Sequence, residues 1–275
     1  MSTPQLPLGL RFAPDQRIQS YRDAPDGLLS LLETIAAAGR TAGKRNNALF
    51  LSGPGGAGKT HLLLGVCAEA TTQHTVLSNA GRAEIAHATS TATKSREFLK
   101  LHPAGRGGLG RGEDREIAYL PLRTFGARSA DALSGQGAAA LVCIDDVDAI
   151  AGMRDAEIAL FDLHNRLRAA GAAIVYAANA TPAQLALDLP DLRSRLAQCA
   201  QFALEVPDEP ARRAILRQRA QTRGLELDDA VLDWLFRRVD RDLGTLTALL
   251  DRLDRASLAA QRRITVPFLR QTLDL

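Results

Sequence analysis

The feature that most constrains this chain is the run Gly53-Pro54-Gly55-Gly56-Ala57-Gly58-Lys59-Thr60. It fits GxxxxGK[ST], a loop whose glycines let the backbone curl around phosphate and aim amide N–H groups inward. Its flanks fit as well. Residues 48–52 form a short apolar run of strand length, and residues 60–70 carry Leu63, Leu64 and Cys67 on one side of a helical pattern. Strand, loop and helix in that order put the positive end of a helix dipole at the loop. Lys59 is then expected to reach the β and γ phosphate oxygens, and the Thr60 hydroxyl to ligate magnesium. The expected ligand is an adenine nucleotide, ADP or ATP, with magnesium.

The pattern around this loop predicts an α/β fold. Residues 28–38 look helical. Apolar runs at 48–52, 117–122, 138–144, 172–178 and 201–206 alternate with helical stretches, one of them at 157–170. Such alternation indicates a five-stranded parallel sheet covered on both faces. The character changes after Val206-Pro207. Residues 209–223, 228–238, 243–257 and 266–273 read as amphipathic helices, and Leu243, Leu246, Leu250 and Leu253 share one helical stripe. The expected organisation is an extended peptide at 1–12, a nucleotide-binding α/β domain at 13–206 and a small helical domain at 207–275. Residues 72–115 are rich in Thr, Ser and Gly, which suggests a mobile surface insertion with one short helix near 95–101.

Composition excludes several classes. A hydrophobic fraction of 46% is ample for a packed core. The net charge of +3 does not mark a strongly basic nucleic-acid binder. Cys67, Cys143 and Cys199 lie far apart without CxxC spacing and read as reduced core residues of a cytosolic protein. The five histidines lack metal-site spacing. No run reaches the roughly 18 apolar residues of a membrane span, and the N-terminus does not resemble a secretory signal.

Further motifs cluster at strand ends. The run 139–144 ends in Asp145-Asp146. Beside a phosphate loop, the first acid can hold magnesium through water and the second can position attacking water. Asn179 follows the next strand and suits a hydrogen bond to the γ-phosphate or water, although an Asn shortly before Pro182 also suits a turn. Arg193 and Arg195 lie in Leu189-Pro-Asp-Leu-Arg-Ser-Arg-Leu196. Such arginines are often solvated, but in an oligomer one at this point can reach a neighbour's γ-phosphate. At the N-terminus, Gln5, Leu6, Leu8 and Leu10 alternate with Pro4 and Pro7 nearby. The prolines disfavour a central strand, and an exposed peptide that docks leucines in a partner's groove fits better.

Together these residues resemble a known family. The glycine loop, Asp145-Asp146, Asn179, Ser194-Arg195-Leu196 and the helical C-terminal region are similar to the AAA+ core of the bacterial initiator DnaA. The resemblance is closer to the Hda regulators of DnaA, through residues 5–10, 141–145, 150–152, 160–166, 189–196, 253–257 and 260–262. It spans nearly the whole chain except about 72–115.

The resemblance implies a negative regulator of replication initiation, cytoplasmic and nucleoid-associated through the clamp. With the DNA-loaded sliding clamp, the β subunit of DNA polymerase III, such a protein stimulates hydrolysis of ATP held by DnaA. Arg195 would be the arginine finger offered in trans. Gln5, Leu6, Leu8 and Leu10 match the clamp-binding peptide. Ile18 and Tyr21 fall where the family packs adenine. The chain ends at Leu275 without the initiator's DNA-binding domain, so no sequence-specific DNA reading is expected. Self-association stays open. The region 72–115 is longer than the family's. Gly244 occupies the first turn of the helix near Leu243, where the family carries a sensing arginine, and Arg241 precedes it. That favours a nucleotide held as a structural ligand, with weak intrinsic turnover. The competing reading is a loader ATPase or an adaptor at the replication fork.

Overall fold

The computed structural model describes residues 15–38, 48–78, 100–101, 116–136, 139–238, 243–260 and 264–273. Its described residues form two compact units. One comprises those within 16–54 and 59–204; the other comprises Asp15, Gly55–Gly58 and those within 205–275.

The first unit is a six-stranded sheet with helices. After a 3-10 turn at Ile18–Ser20, its elements are α1 (Leu28–Ala38), β1 (Ala48–Ser52), α2 (Lys59–Ser78), β2 (Lys100–Leu101), β3 (Glu116–Pro121), α3 (Leu122–Phe125), α4 (Ser129–Ser134), β4 (Ala139–Asp145), α5 (Arg154–Ala169), β5 (Ala173–Ala178), α6 (Pro190–Ala197) and β6 (Ala200–Ala203). The strand order is β2-β3-β4-β5-β1-β6. The five long strands are parallel, as the sequence predicts, and β2 adds a short antiparallel edge.

β1, β4 and β5 are buried along their whole length, as their continuous apolar runs require of interior parallel strands. Register aligns their ends. Ser52 pairs with Ala178 and Ala203, and Asp145 pairs with Pro121. The carboxyl ends of neighbouring β4, β5 and β1 therefore lie side by side, the place where open α/β sheets bind ligands. The core packs β4 and β5 against α5 through Val142, Ile144, Ile174, Tyr176, Leu160 and Leu163.

Two glycines answer to close approach. Gly53 has φ +153°, and a Cβ there would run into the Leu204 carbonyl oxygen. In α2, a Cβ on Gly65 would lie 3.0 Å from the Ile18 backbone nitrogen, so the bare glycine lets the 3-10 turn pack on the helix.

The structure extends or corrects several expectations. Helix α2 runs to Ser78, beyond the expected residue 70. Lys100 and Leu101 form a strand where a helix was expected, because β3 offers an open edge for antiparallel pairing. The last strand ends at Ala203 rather than 206. Short helices α3 and α4 had no sequence signal, since neither spans two helical turns. The clamp-like peptide at Gln5–Leu10 and most of 72–115 lie outside the described residues.

The second unit holds α7 (Glu209–Thr222), α8 (Asp229–Arg238), α9 (Leu243–Ala260) and α10 (Val266–Leu273). Asp208 caps α7 by accepting the Ala211 N–H at 2.8 Å, and Asp228 accepts the Val231 N–H at 2.7 Å at the start of α8. Leu246, Leu250 and Leu253 of the predicted stripe are buried with Trp234, Leu235 and Phe236. Each buried leucine contributes about 1.5–3 kcal/mol. Asp15 belongs to this unit. Its buried carboxylate accepts from Arg223 Nε at 3.1 Å and from Arg223 Nη2 at 2.9 Å, and lies 3.7 Å from Arg219. Arg219 also donates to Thr247 on α9 at 2.6 Å. The network fastens the chain before the 3-10 turn to α7, and through it to α9.

Candidate functional site

At the end of β1 the chain turns through Gly53 and Pro54 into the glycine loop, and Gly56 and Gly58 adopt φ +82° and +86°. An L residue is strained at these angles, so the loop requires glycine there. α2 begins at Lys59. Lys59 is buried, and its ammonium donates to the carbonyl oxygens of Gly53 (2.5 Å) and Pro54 (2.8 Å) and to Asn179 Oδ1 (3.1 Å). Burial pulls its pKa below the usual lysine value, against the pull of Asp145, Asp148 and Asp146. Oxygen acceptors already surround the ammonium, and phosphate oxygens are equivalent partners for it.

Thr60 Oγ1 donates to Asp145 Oδ2 at 2.6 Å. Tyr119 from β3 donates to the same oxygen at 2.9 Å, and the Asp146 N–H donates to Asp145 Oδ1 at 3.0 Å. Asp145 is almost fully buried, so these donors fix its orientation. Burial first, then the Asp145 charge, pushes the Tyr119 phenol well above its ordinary value, and it stays a donor. A hydroxyl and a carboxylate oxygen brought together in this way suit a hard cation such as magnesium.

Asp146 adopts left-handed backbone, φ 54° and ψ 48°, which Asp tolerates better than most residues. Its side chain pairs with Arg123 at 3.4 Å, and Arg123 reaches Asp148 at 2.8 Å. Burial and the neighbouring Asp145 charge raise the pKa of Asp146, and Arg123 opposes this. Asp148 accepts both the backbone N–H (2.9 Å) and the side-chain amide (3.0 Å) of Asn179. That leaves Asn179 Oδ1 turned to Lys59.

Lys59, Thr60, Asp145, Asp146 and Asn179 thus belong to one hydrogen-bonded cluster, with Tyr119, Arg123 and Asp148 added by the structure. Asp148 was legible as a third acid in the run 145–148. Tyr119 was hidden in an apolar run, and Arg123 belongs to no motif. Ile18 is fully buried beside Gly65 of α2. Tyr21 stacks on His61 with ring centroids 6.4 Å apart, and burial, with Asp23 adding, pushes its phenol up to about 12. His61 Nε2 lies 2.9 Å from Ser20 Oγ and 3.2 Å from the Arg17 carbonyl, fastening this turn to α2 directly after Thr60.

Arg195 stands on α6, outside this cluster. Buried Leu192 and Leu196 anchor the helix. The Arg195 side chain is exposed and, among the described residues, its guanidinium has no ion-pair or hydrogen-bond partner. Gly244 lies in the first turn of α9, and Arg241 is outside the described residues. Among the described residues, no helix is long and apolar enough to cross a membrane.

Residues 208–273 match the family model of the Hda lid domain. Domain III of the Thermotoga maritima replication initiation protein DnaA superposes with TM-score 0.64 at 20% identity, covering 96% of this chain and 98% of that one. AMPPCP-bound DnaA from Aquifex aeolicus matches with TM-score 0.55 and 18% identity over 89% of this chain and 66% of that one. A RuvB variant from Thermotoga maritima matches with TM-score 0.54 and 14% identity, covering 96% and 73%. The α/β unit thus has the fold of DnaA domain III, and the helical segment that follows it in the chain matches the Hda lid domain.

Proposed function

We propose that this chain is a negative regulator of chromosomal replication initiation. It docks on ATP-bound DnaA beside a DNA-loaded sliding clamp and stimulates hydrolysis of the ATP held by DnaA. The product is inactive ADP–DnaA. The observation that carries this reading is Arg195, an exposed guanidinium without a partner among the described residues, on a helix anchored by buried leucines. An arginine offered in trans stabilises charge on the transferring phosphoryl group.

The chain's own loop would hold ADP or ATP with magnesium. Lys59 would exchange its carbonyl partners for phosphate oxygens, Thr60 and Asp145 would hold the ion, and Asn179 would face the terminal phosphate. Magnesium would supply charge neutralisation. Asp146 is paired with Arg123, and Gly244 offers no guanidinium to a phosphate. Both features favour a nucleotide that fixes the protein's shape over one turned over rapidly. Gln5, Leu6, Leu8 and Leu10 would dock on the clamp.

The test is hydrolysis of DnaA-bound ATP, with and without this protein and DNA-loaded clamp. Arg195→Ala should keep nucleotide and clamp binding yet lose stimulation by about 10³-fold or more. Undiminished stimulation by that variant would refute the assignment. Replacing Gln5, Leu6 and Leu8 by Ala should abolish clamp pull-down, and retained binding would remove the peptide from the reading.

A second reading, a self-contained loader ATPase, draws on the intact Lys59, Thr60, Asp145 and Asn179 set. Robust turnover by the purified protein without DnaA favours it.

A further inference from the structure

We propose that Glu157 is a positioning residue for Arg195, an inference that rests on the trans role of that arginine. Glu157 lies in the first turn of α5 and is fully buried. A buried carboxylate is costly unless its oxygens are bonded. Here the donors are backbone amides from two separate segments. Oε1 accepts from Gly152 (2.9 Å) and Asp188 (3.1 Å), and Oε2 accepts from Leu189 (2.7 Å). Leu189 is the N-cap residue of α6, and its side chain cannot cap the helix. Gly152, with φ +78°, closes the turn that follows Asp145–Asp148.

One side chain therefore joins the acidic end of β4 to the start of the arginine-bearing helix. Arg195 lies six residues beyond Leu189, about 9 Å along the axis at 1.5 Å per residue. A tilt of about 8° at the start of α6 moves it by about 1.2 Å, and a misplacement of about 1 Å can cost a reaction about 10²-fold. Leu192 and Leu196 hold the helix down through non-directional apolar contact. The three charge-assisted bonds to Glu157 fix its direction.

The discriminating variant is Glu157→Gln, equal in volume, which sets an amide N–H₂ where Oε2 accepts the Leu189 N–H. Hydrogen exchange by mass spectrometry should show faster exchange in 185–198 and 148–152, with β4 and β5 unchanged. In the stimulated-hydrolysis assay, kcat should fall about tenfold or more at an unchanged half-saturating concentration of this protein. Glu157→Ala should exceed both effects. Unchanged exchange at 185–198, equal acceleration throughout β4 and β5, or an undiminished kcat would overturn the proposal. If the wild-type protein fails to stimulate DnaA, the functional reading falls, whereas the exchange measurement still decides whether Glu157 holds α6.

Discussion

Acidification should destabilise the α/β unit through one buried histidine. His164 on α5 is fully buried, with Nδ1 2.8 Å from the Tyr176 hydroxyl and no partner for Nε2. Burial, then the positive charges of Arg168 and Arg195, lower its pKa from 6.5 to about 4. Above pH 6.5 the imidazole is neutral in both folded and unfolded chains, and the group adds no pH dependence. Below that pH the unfolded chain takes up a proton that the folded chain refuses. Stability therefore falls as pH falls, until the folded pKa is reached.

The separation of about 2.5 units, at about 1.4 kcal/mol each, sets a ceiling of about 3.4 kcal/mol, and roughly 2 kcal/mol is already lost at pH 5. All three tyrosines lie in the α/β unit and the single tryptophan, Trp234, in the helical unit. Urea unfolding between pH 7.5 and 5, followed by near-ultraviolet dichroism of the tyrosines, reads the first unit, and Trp234 fluorescence reads the second. Glu and Asp titrate mostly below this window. His164→Gln keeps a polar partner for Tyr176 but cannot titrate, so its profile should be flatter by about 2 kcal/mol at pH 5. Parallel pH profiles for wild type and variant would refute the reasoning.

Two further predictions concern the loop and the helical unit. Gly53→Ala forces a Cβ against the Leu204 carbonyl at φ +153° and should weaken nucleotide binding by about tenfold or more, measured with a fluorescent nucleotide. Unchanged affinity would mean the loop relaxes freely. Arg223→Ala removes the two N–H groups that donate to the buried Asp15 Oδ1 and should cost about 3–5 kcal/mol, read from the urea midpoint of Trp234 fluorescence. An unshifted midpoint would show that Arg219 alone suffices.

The sequence by itself determined the parallel sheet, the glycine loop with Lys59 and Thr60, the acids after β4, Asn179, and the leucine stripe of α9. These signals are local. A strand buried on both faces reads as an apolar run, a helix as a 3.6-residue period, and a phosphate loop as glycines at fixed spacing. Only the tertiary structure decided how the acids are divided. Asp145 is held by Thr60 and Tyr119, Asp146 is turned into left-handed backbone and paired with Arg123, and Asp148 holds Asn179. It also placed Glu157 beneath the start of α6, 32 residues away from Leu189 in the chain. Such partners are joined by the order of the strands and the packing of helices on them, and no local pattern records which side chain will face which amide. The glycine loop is therefore legible in eight residues, whereas the buried Glu157 carboxylate that joins Gly152 to the start of α6 belongs to no local motif.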